Sequence, residues 1–353
     1  MTKPRARDLG LPFPGTPGPL NAITDVPGVT VGFCTLTDPA RRMRTGVTAI
    51  LPRPGDEPRP VWAGHCALNG NGEMTGTHWI DDAGYFIGPV MITNTHGVGA
   101  VHMGTTRWMI DRYAAFFRDQ HAWAMPVVAE TYDGVLNDIN ALHVQPEHAL
   151  EALAALSPGP VAEGSTGGGN GMICYEFKGG TGTSSRRVGI GDRTYTVAAL
   201  VQANHGIRPW LTILGRPVGR LMPEGAFYPA ETGSIIVILA TDAPLSTLSL
   251  RHMARRAAIG IGRGGTPGGN NSGDIFLAFS TANDGPMPQF GAAVLSRQEL
   301  NSERIDPLYL AAVEAVEEAV VNALVAGEDA PTVKPESLTC RAIDTARLTA
   351  LFR

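Results

Sequence analysis

The stretch GSIIVILATDAPL at 233–245 constrains the fold most. Every residue from Ile235 to Ala240 is apolar, with no polar alternation. Such a run suits a strand buried on both faces. A strand of that kind needs cover on each side, which points to a layered α/β architecture. The flanking patterns agree. β-like runs bounded by turn residues are predicted at 28–33, 46–52, 89–94, 126–130, 194–204, 211–219 and 274–281. Apolar residues three and four apart predict helices over 105–120, 147–156, 246–260 and 306–327. In the last, Tyr309, Ala312, Val313, Val316, Val320, Ala323 and Leu324 mark one face, an amphipathic pattern that leaves Glu317 and Glu318 on a solvated side. Residues 1–20 read as an extended arm. There is no internal repeat, and the 43 glycines and 27 prolines are spread along the chain. One domain over 1–353 is expected rather than two joined by a linker.

Composition narrows the function. Lys and Arg number 28 against 33 Asp and Glu, a net charge of −5, which lacks the basic excess of a nucleic-acid binder. No run of about 18 apolar residues could span a membrane, and the basic, then Pro/Gly-rich N-terminus lacks the apolar stretch of a secretory signal. Cys34, Cys66, Cys174 and Cys340 are scattered without a C-x-x-C pair. That spacing argues against zinc or a disulfide framework and for reduced thiols in a cytoplasm. Charged residues make up 17%, so the surface is small or covered by other subunits.

Most chemical motifs fail on context. GIGRGG at 260–265 matches G-x-G-x-x-G, but it follows a predicted helix and precedes a strand, the reverse of a dinucleotide fingerprint. There is no Walker-type phosphate loop and no G-x-S-x-G elbow. The nine histidines include no H-x-x-x-H pair, and no carboxylate pair completes a metal set. His65, His96 and His205 stand beside glycines in predicted loops, either as site residues or as hydrogen-bonded structural groups. Gly233–Ser234 remains. A serine hydroxyl is a poor nucleophile until a base takes its proton. If the Gly233–Ser234 bond is cut, Ser234 gains its own α-amine, with a reference pKa of about 7.7–8.0, as that base. A small residue before the serine lets the hydroxyl reach the preceding carbonyl, and a central strand gives a rigid mount. Taken alone, the same dipeptide also reads as a turn before a strand.

Six stretches, in order, carry a resemblance: PLNAITDVPGVTVG (19–32), NGNGEMTG (69–76), VVAETYDGVLNDIN (127–140), VQANHG (201–206), GSIIVILATDAPL (233–245) and NNSGDIFLAFST (270–281). Together they resemble the DmpA-type family of L-aminopeptidase/D-amino-acid esterase-amidases and β-peptidyl aminopeptidases. The resemblance implies a four-layer α-β-β-α sandwich like that of the N-terminal-nucleophile hydrolases and ornithine acetyltransferases. It implies a precursor that cuts itself after Gly233 into an α chain, 1–233, and a β chain, 234–353, assembled as a homotetramer. It implies release of N-terminal residues from small peptides, amides or esters, with no metal or other cofactor. Residue by residue, it implies Ser234 as nucleophile, Asn204 as oxyanion donor, Tyr132 lining the site and Glu130 holding the substrate amine. Ser272 and Asp274 would position the nucleophile's amine and hydroxyl. The family carries Glu where this chain has Asp274; a side chain one methylene shorter implies a longer or water-bridged contact to the Ser234 amine. Two rival readings are an acyltransferase of the ornithine acetyltransferase type, revealed by an amine acceptor that raises the rate, and an unprocessed, non-enzymatic homologue, revealed by a lack of self-cleavage.

Overall fold

The structure, a computed structural model, describes residues 3–353. The chain enters through the hairpin β1 (Thr30–Asp38) and β2 (Met43–Leu51), then crosses to β3 (Val61–Ala67). The short helix α1 (Thr77–Ala83) and β4 (Tyr85–Phe86) lead back to β5 (Val90–Asn94). Helices α2 (Val98–Arg112) and α3 (Ala114–Asp119) precede β6 (Val127–Thr131), and α4 (Pro146–Ala154) follows it. A tight hairpin, β7 (Ile173–Cys174) and β8 (Phe177–Lys178), opens a long one, β9 (Gly180–Ile190) and β10 (Arg193–Asn204). After α5 (Val218–Leu221) come β11 (Ser234–Thr241), α6 (Thr247–Arg263), β12 (Gly273–Ser280) and α7 (Asp306–Val325). The chain closes with β13 (Ala330–Val333), β14 (Glu336–Cys340) and α8 (Thr345–Ala350).

Two sheets carry the fold, with orders β1-β2-β5-β6 and β4-β3-β12-β11-β10-β9. They face each other across Ile50, Val90, Ile92 and Ala129 on one side and Leu200, Ile236, Ile238 and Leu277 on the other. Helices α2 and α4 cover the outer face of the smaller sheet, where Val101, Ala149 and Leu153 meet Val47, Met91 and Val128. Helices α6 and α7 cover the larger sheet, where Met253, Ala257, Val316 and Val320 meet Val201, Val237 and Phe276. These are the four layers α-β-β-α. Alternation along β11 sends Ile235, Val237 and Leu239 to the helices and Ile236 and Ile238 to the facing sheet. Both faces are apolar, so no position from Ile235 to Ala240 is polar; each aliphatic side chain so buried contributes about 1.5–3 kcal/mol.

Several expectations need correction. The helix expected at 105–120 begins at Val98 and breaks at Tyr113, where ψ swings to 35°, before α3 resumes. No strand forms over 211–219: Leu214 takes φ 48°, Ile213 and Arg216 close a tight turn, and α5 follows. Among the described residues, seven strands lie outside the predicted runs, and the two longest of them are β3 and β9. Each carries a glycine where a helix lies on the backbone: a Cβ at Gly64 would fall 2.2 Å from Arg251 N in α6, and one at Gly182 falls 2.0 Å from Ala319 O in α7. Those close approaches suppress the apolar alternation that marks a strand. Helix α7 is not amphipathic. Glu318 is fully buried and accepts from Arg7 and Arg186, and Glu317 pairs with Arg263 at 3.1 Å. The N-terminal arm creates that burial, for Ala6, Leu11 and Phe13 pack into the core over α7. His65 lies within β3, with Nδ1 3.4 Å from Asp81, and His96 lies in a single 3-10 turn. The 260–265 glycines end α6, and a Cβ at Gly260 would strike Val316, so Gly260 serves a helix crossing.

Candidate active site

Strand register assembles the site. In the antiparallel pair β10–β11, Asn204 stands opposite Ser234. In the parallel pair β11–β12, Gly273 stands beside Ser234 and Asp274 beside Ile235. Strand alternation places Ser234 on the inter-sheet face with Ile236 and Ile238, and Asp274 on the helix side with Phe276 and Ala278. The carboxylate therefore approaches the head of the strand from the side opposite the serine hydroxyl.

The Asn204 amide is fixed at both ends. Its Oδ1 accepts from Ile173 N–H at 2.8 Å and its Nδ2 donates to Tyr132 O at 2.9 Å. This pairing sets the amide's orientation and leaves the second Nδ2 hydrogen for another acceptor. Tyr132 is 38% exposed, and its ring folds back over Gly134, where a Cβ would lie 2.3 Å from it. Tyr132, Ile173, Asn204, Tyr228, Thr232 and Gly233 line a cavity of about 20 Å³, room for roughly one water. Gly233 fits because it has no side chain: a Cβ would lie 2.0 Å from Asn204 O and 2.8 Å from His205 Cα.

Ser272 and Asp274 are fully buried, and Ser272 Oγ donates to Asp274 Oδ1 at 2.6 Å. Asn69 Nδ2 reaches Asp274 Oδ2 at 3.3 Å and Gly269 O at 3.1 Å. Burial pushes the Asp274 carboxyl up to about 6; the charge of Glu231 adds to this, while Ser272 and Asn69 oppose it. His205 is buried beside the Tyr175 ring, its Nε2 has no partner among the described residues, and burial pushes its pKa down to about 3. A neutral imidazole held this way is a packing group.

Glu130 does not line the cavity. It is 5% exposed and accepts from Glu73 N–H at 2.9 Å and from the Thr95 hydroxyl. Burial raises its pKa against those two donors, and no Lys or Arg pairs with it among the described residues. One layer of backbone separates it from the strand head, because Gly72 would touch both Glu130 Oε1 and Gly273 Cα with an added Cβ. The structure thus gathers Gly233, Asn204 and Tyr132 around one cavity, with Ser234 next in the chain and opposite Asn204, sets Ser272 and Asp274 behind the strand, and keeps Glu130 one loop away. Sequence reasoning missed Asn69, Tyr228 and Glu231 as site neighbours. Asn69 lies in the NGNG stretch that the resemblance quoted, and Glu231 stands three residues before Ser234, but neither has a periodic signal.

A serine at the head of the central strand of an α-β-β-α sandwich, facing a fixed asparagine amide, defines a serine hydrolase of the N-terminal-nucleophile type. The comparisons are specific. The chain belongs to Peptidase family S58, whose sequence profile matches residues 21–337. It is 48% identical to the beta-peptidyl aminopeptidase BapA of Sphingosinicella microcystinivorans, over 99% of this chain and 92% of that protein. The solved L-aminopeptidase D-Ala-esterase/amidase of Ochrobactrum anthropi, described as a prototype for the serine aminopeptidases, superimposes with a TM-score of 0.95 at 58% identity, covering 99% and 98% of the two chains. A Burkholderia sp. beta-aminopeptidase gives a TM-score of 0.91 at 47% identity, with the same coverage. The chain is a serine aminopeptidase, a hydrolase of peptide, amide and ester bonds.

Proposed function

We propose that the chain cuts itself between Gly233 and Ser234 and then releases N-terminal residues from short peptides, amino-acid amides or esters. The observation that carries this is the position of Ser234, buried at the first residue of β11 between Asn204 and Gly273. In the first reaction the Ser234 hydroxyl attacks the Gly233 carbonyl, the carbon–nitrogen bond breaks, and the nitrogen takes the hydroxyl proton. Water hydrolyses the resulting ester to a Gly233 carboxylate and the free hydroxyl. In the second reaction the Ser234 amine accepts the hydroxyl proton as the oxygen attacks the first carbonyl of the substrate; the bond to the leaving amine or alcohol breaks as that group takes the proton, and water then hydrolyses the acyl-enzyme to the released amino acid and free Ser234. Asn204 offers its remaining N–H to the oxyanion, a contact of a kind worth about 2.7–4 kcal/mol. Asp274, held by Ser272 on Oδ1 and Asn69 on Oδ2, lies on the face of the sheet opposite the serine hydroxyl and so holds the amine rather than the hydroxyl. The new ammonium draws the Asp274 pKa back down. Glu130 receives the substrate ammonium; its burial without a Lys or Arg partner among the described residues supports that role. Thr232 and Gly233 wall the cavity before cleavage, and at about 20 Å³ it is too small for an amino acid, so the severed segment must retract to admit substrate.

The names of the relatives support both L-amino-acid and β-amino-acid residues at the released position. A homotetramer of cut units is part of the same reading. Low charge and apolar side chains exposed on the outer helices, among them Met103, Ile110, Leu248 and Ile259, support it, and a monomer in light scattering refutes it. The deciding experiment is a denaturing mass spectrum. Two chains, the smaller beginning Ser-Ile-Ile-Val, are expected; one intact chain after long incubation overturns the proposal.

A further inference from the structure

The segment before the Ser234 strand is fastened at three places. Arg208 donates to the carbonyls of Met222 at 3.0 Å and Glu224 at 2.7 Å. Glu176 accepts from the N–H groups of Phe227 and Tyr228. The third fastening is Glu231, whose carboxylate accepts from Gly206 N–H at 2.7 Å and from Gly269 N–H at 3.2 Å. Gly206 lies two residues beyond Asn204, and Gly269 lies three before Ser272. One side chain therefore ties the segment to both loops that carry the remaining site groups. The fit is close, since a Cβ at Gly269 would lie 2.4 Å from Glu231 Oε2.

Its chemistry separates Glu231 from an ordinary loop anchor. The residue is 9% exposed, and no Lys, Arg or His pairs with its carboxylate among the described residues. Burying a charge without a cation costs several kcal/mol, whereas a neutral Asn or Ser could accept the same kind of N–H at smaller cost. A carboxylate does what those cannot. Its two oxygens accept two backbone donors from opposite loops at once, through charge-assisted bonds about twice as strong as neutral ones. That fixes the place of the chain three residues before the bond.

We propose that Glu231 is a positioning residue for self-cleavage: it presents the Gly233–Ser234 bond to Asn204 by pinning the preceding segment between the 204–206 and 269–274 loops. This rests on the self-processing reading above. Glu231 makes and breaks no bond; the Ser234 Oγ–Gly233 carbon bond forms and the Gly233–Ser234 bond breaks as already described. Glutamine at this position keeps the shape but turns a donor toward one loop, so it holds the segment less well. Alanine releases it.

The test follows the full chain after cell-free synthesis, with loss of intact chain read by denaturing mass spectrometry for the unchanged protein, Glu231→Gln and Glu231→Ala. Turnover per cleaved chain is read in parallel on an amino-acid p-nitroanilide. Self-cleavage should fall at least tenfold in Glu231→Ala and by a smaller factor in Glu231→Gln, and in each it should fall by a larger factor than turnover per cleaved chain. Cleavage of Glu231→Ala at the unchanged rate overturns the proposal. So does an equal fall in both reactions, which would mark a general loss of structure. Should Glu231→Ala fail to fold by circular dichroism, Glu231→Gln decides: cleavage at the unchanged rate overturns the proposal, and selectively slowed cleavage supports it. If the unchanged protein itself stays whole, the self-processing reading fails and this proposal falls with it; that outcome is separable from an active precursor indifferent to Glu231.

Discussion

Gly233→Ala tests the site at its tightest point. The added Cβ would lie 2.0 Å from Asn204 O, 2.8 Å from His205 Cα and 2.9 Å from Asn204 C. Favourable carbon contacts begin at about 3.5 Å, so the head of β11 must move by roughly 1 Å or more. The obstructing atoms are backbone at the end of β10 and cannot rotate aside as a side chain would. Overpacking of this kind costs about 1–3 kcal/mol, which a chain with an ordinary stability of about 5–15 kcal/mol survives. The kinetic effect is larger in proportion. A misplacement of about 1 Å between attacking and attacked atoms costs about 10²-fold in rate. Gly233→Ala should therefore fold, keep its near-ultraviolet circular dichroism, and cut itself about 10²-fold more slowly. The assay is the same time-resolved mass spectrum, with Ser234→Ala as the uncut baseline. Cleavage within about twofold of the unchanged protein would show that Gly233 is not there for its missing side chain, and the close-approach reasoning would fail.

Ser234→Ala should remain a single chain with no aminopeptidase turnover; a cut or active Ser234→Ala protein excludes Ser234 as nucleophile. Asn204→Ala should lower kcat by about 10²–10³, and it should also lower the unfolding midpoint because Ile173 N–H and Tyr132 C=O lose their partners. Peptidase activity should fall toward acid pH as the Ser234 amine, with a reference pKa of about 7.7–8.0, is protonated; a profile flat down to about pH 5 removes the amine as base. Burial raises Asp274 to about 6 in the uncut chain, so its contribution to stability is present below its unfolded pKa and is lost as pH rises through about 6. In a Ser234→Ala background, Asp274→Asn should therefore raise the unfolding midpoint by at least about 2 °C at pH 8 and bring no such gain at pH 4; an equal shift at both pH values refutes the assignment.

The Ser234 strand was legible because its signal is local. Six apolar residues in a row have no stable place except between two covering layers, and Gly-Ser at the head shows where the chain enters. Most predicted strands fell within a few residues of those observed for the same reason. The motif set also named Asn204, Ser272 and Asp274, whose polar side chains stand at strand ends. Elsewhere local pattern was the wrong guide. GTGTSSRRVGI does not read as a strand until Gly182 is seen beneath Ala319, and Leu214 turns the chain where 211–219 has strand-like composition.

The sequence by itself determined the double-faced strand, the layered class and the Gly-Ser dipeptide at the strand's head, since each depends on neighbours in the chain. Tertiary structure decided the rest. Glu317 and Glu318 look solvated on a helical wheel, yet Arg263, Arg186 and Arg7 enclose them once the N-terminal arm folds over α7. Asn204 meets Ser234 through the register of β10 on β11, and Glu231 joins Gly206 to Gly269 across two loops. Periodicity records which face of an element is apolar; it holds no information on which distant backbone will supply a hydrogen bond or a charge to that face, and the site consists of such long-range pairings.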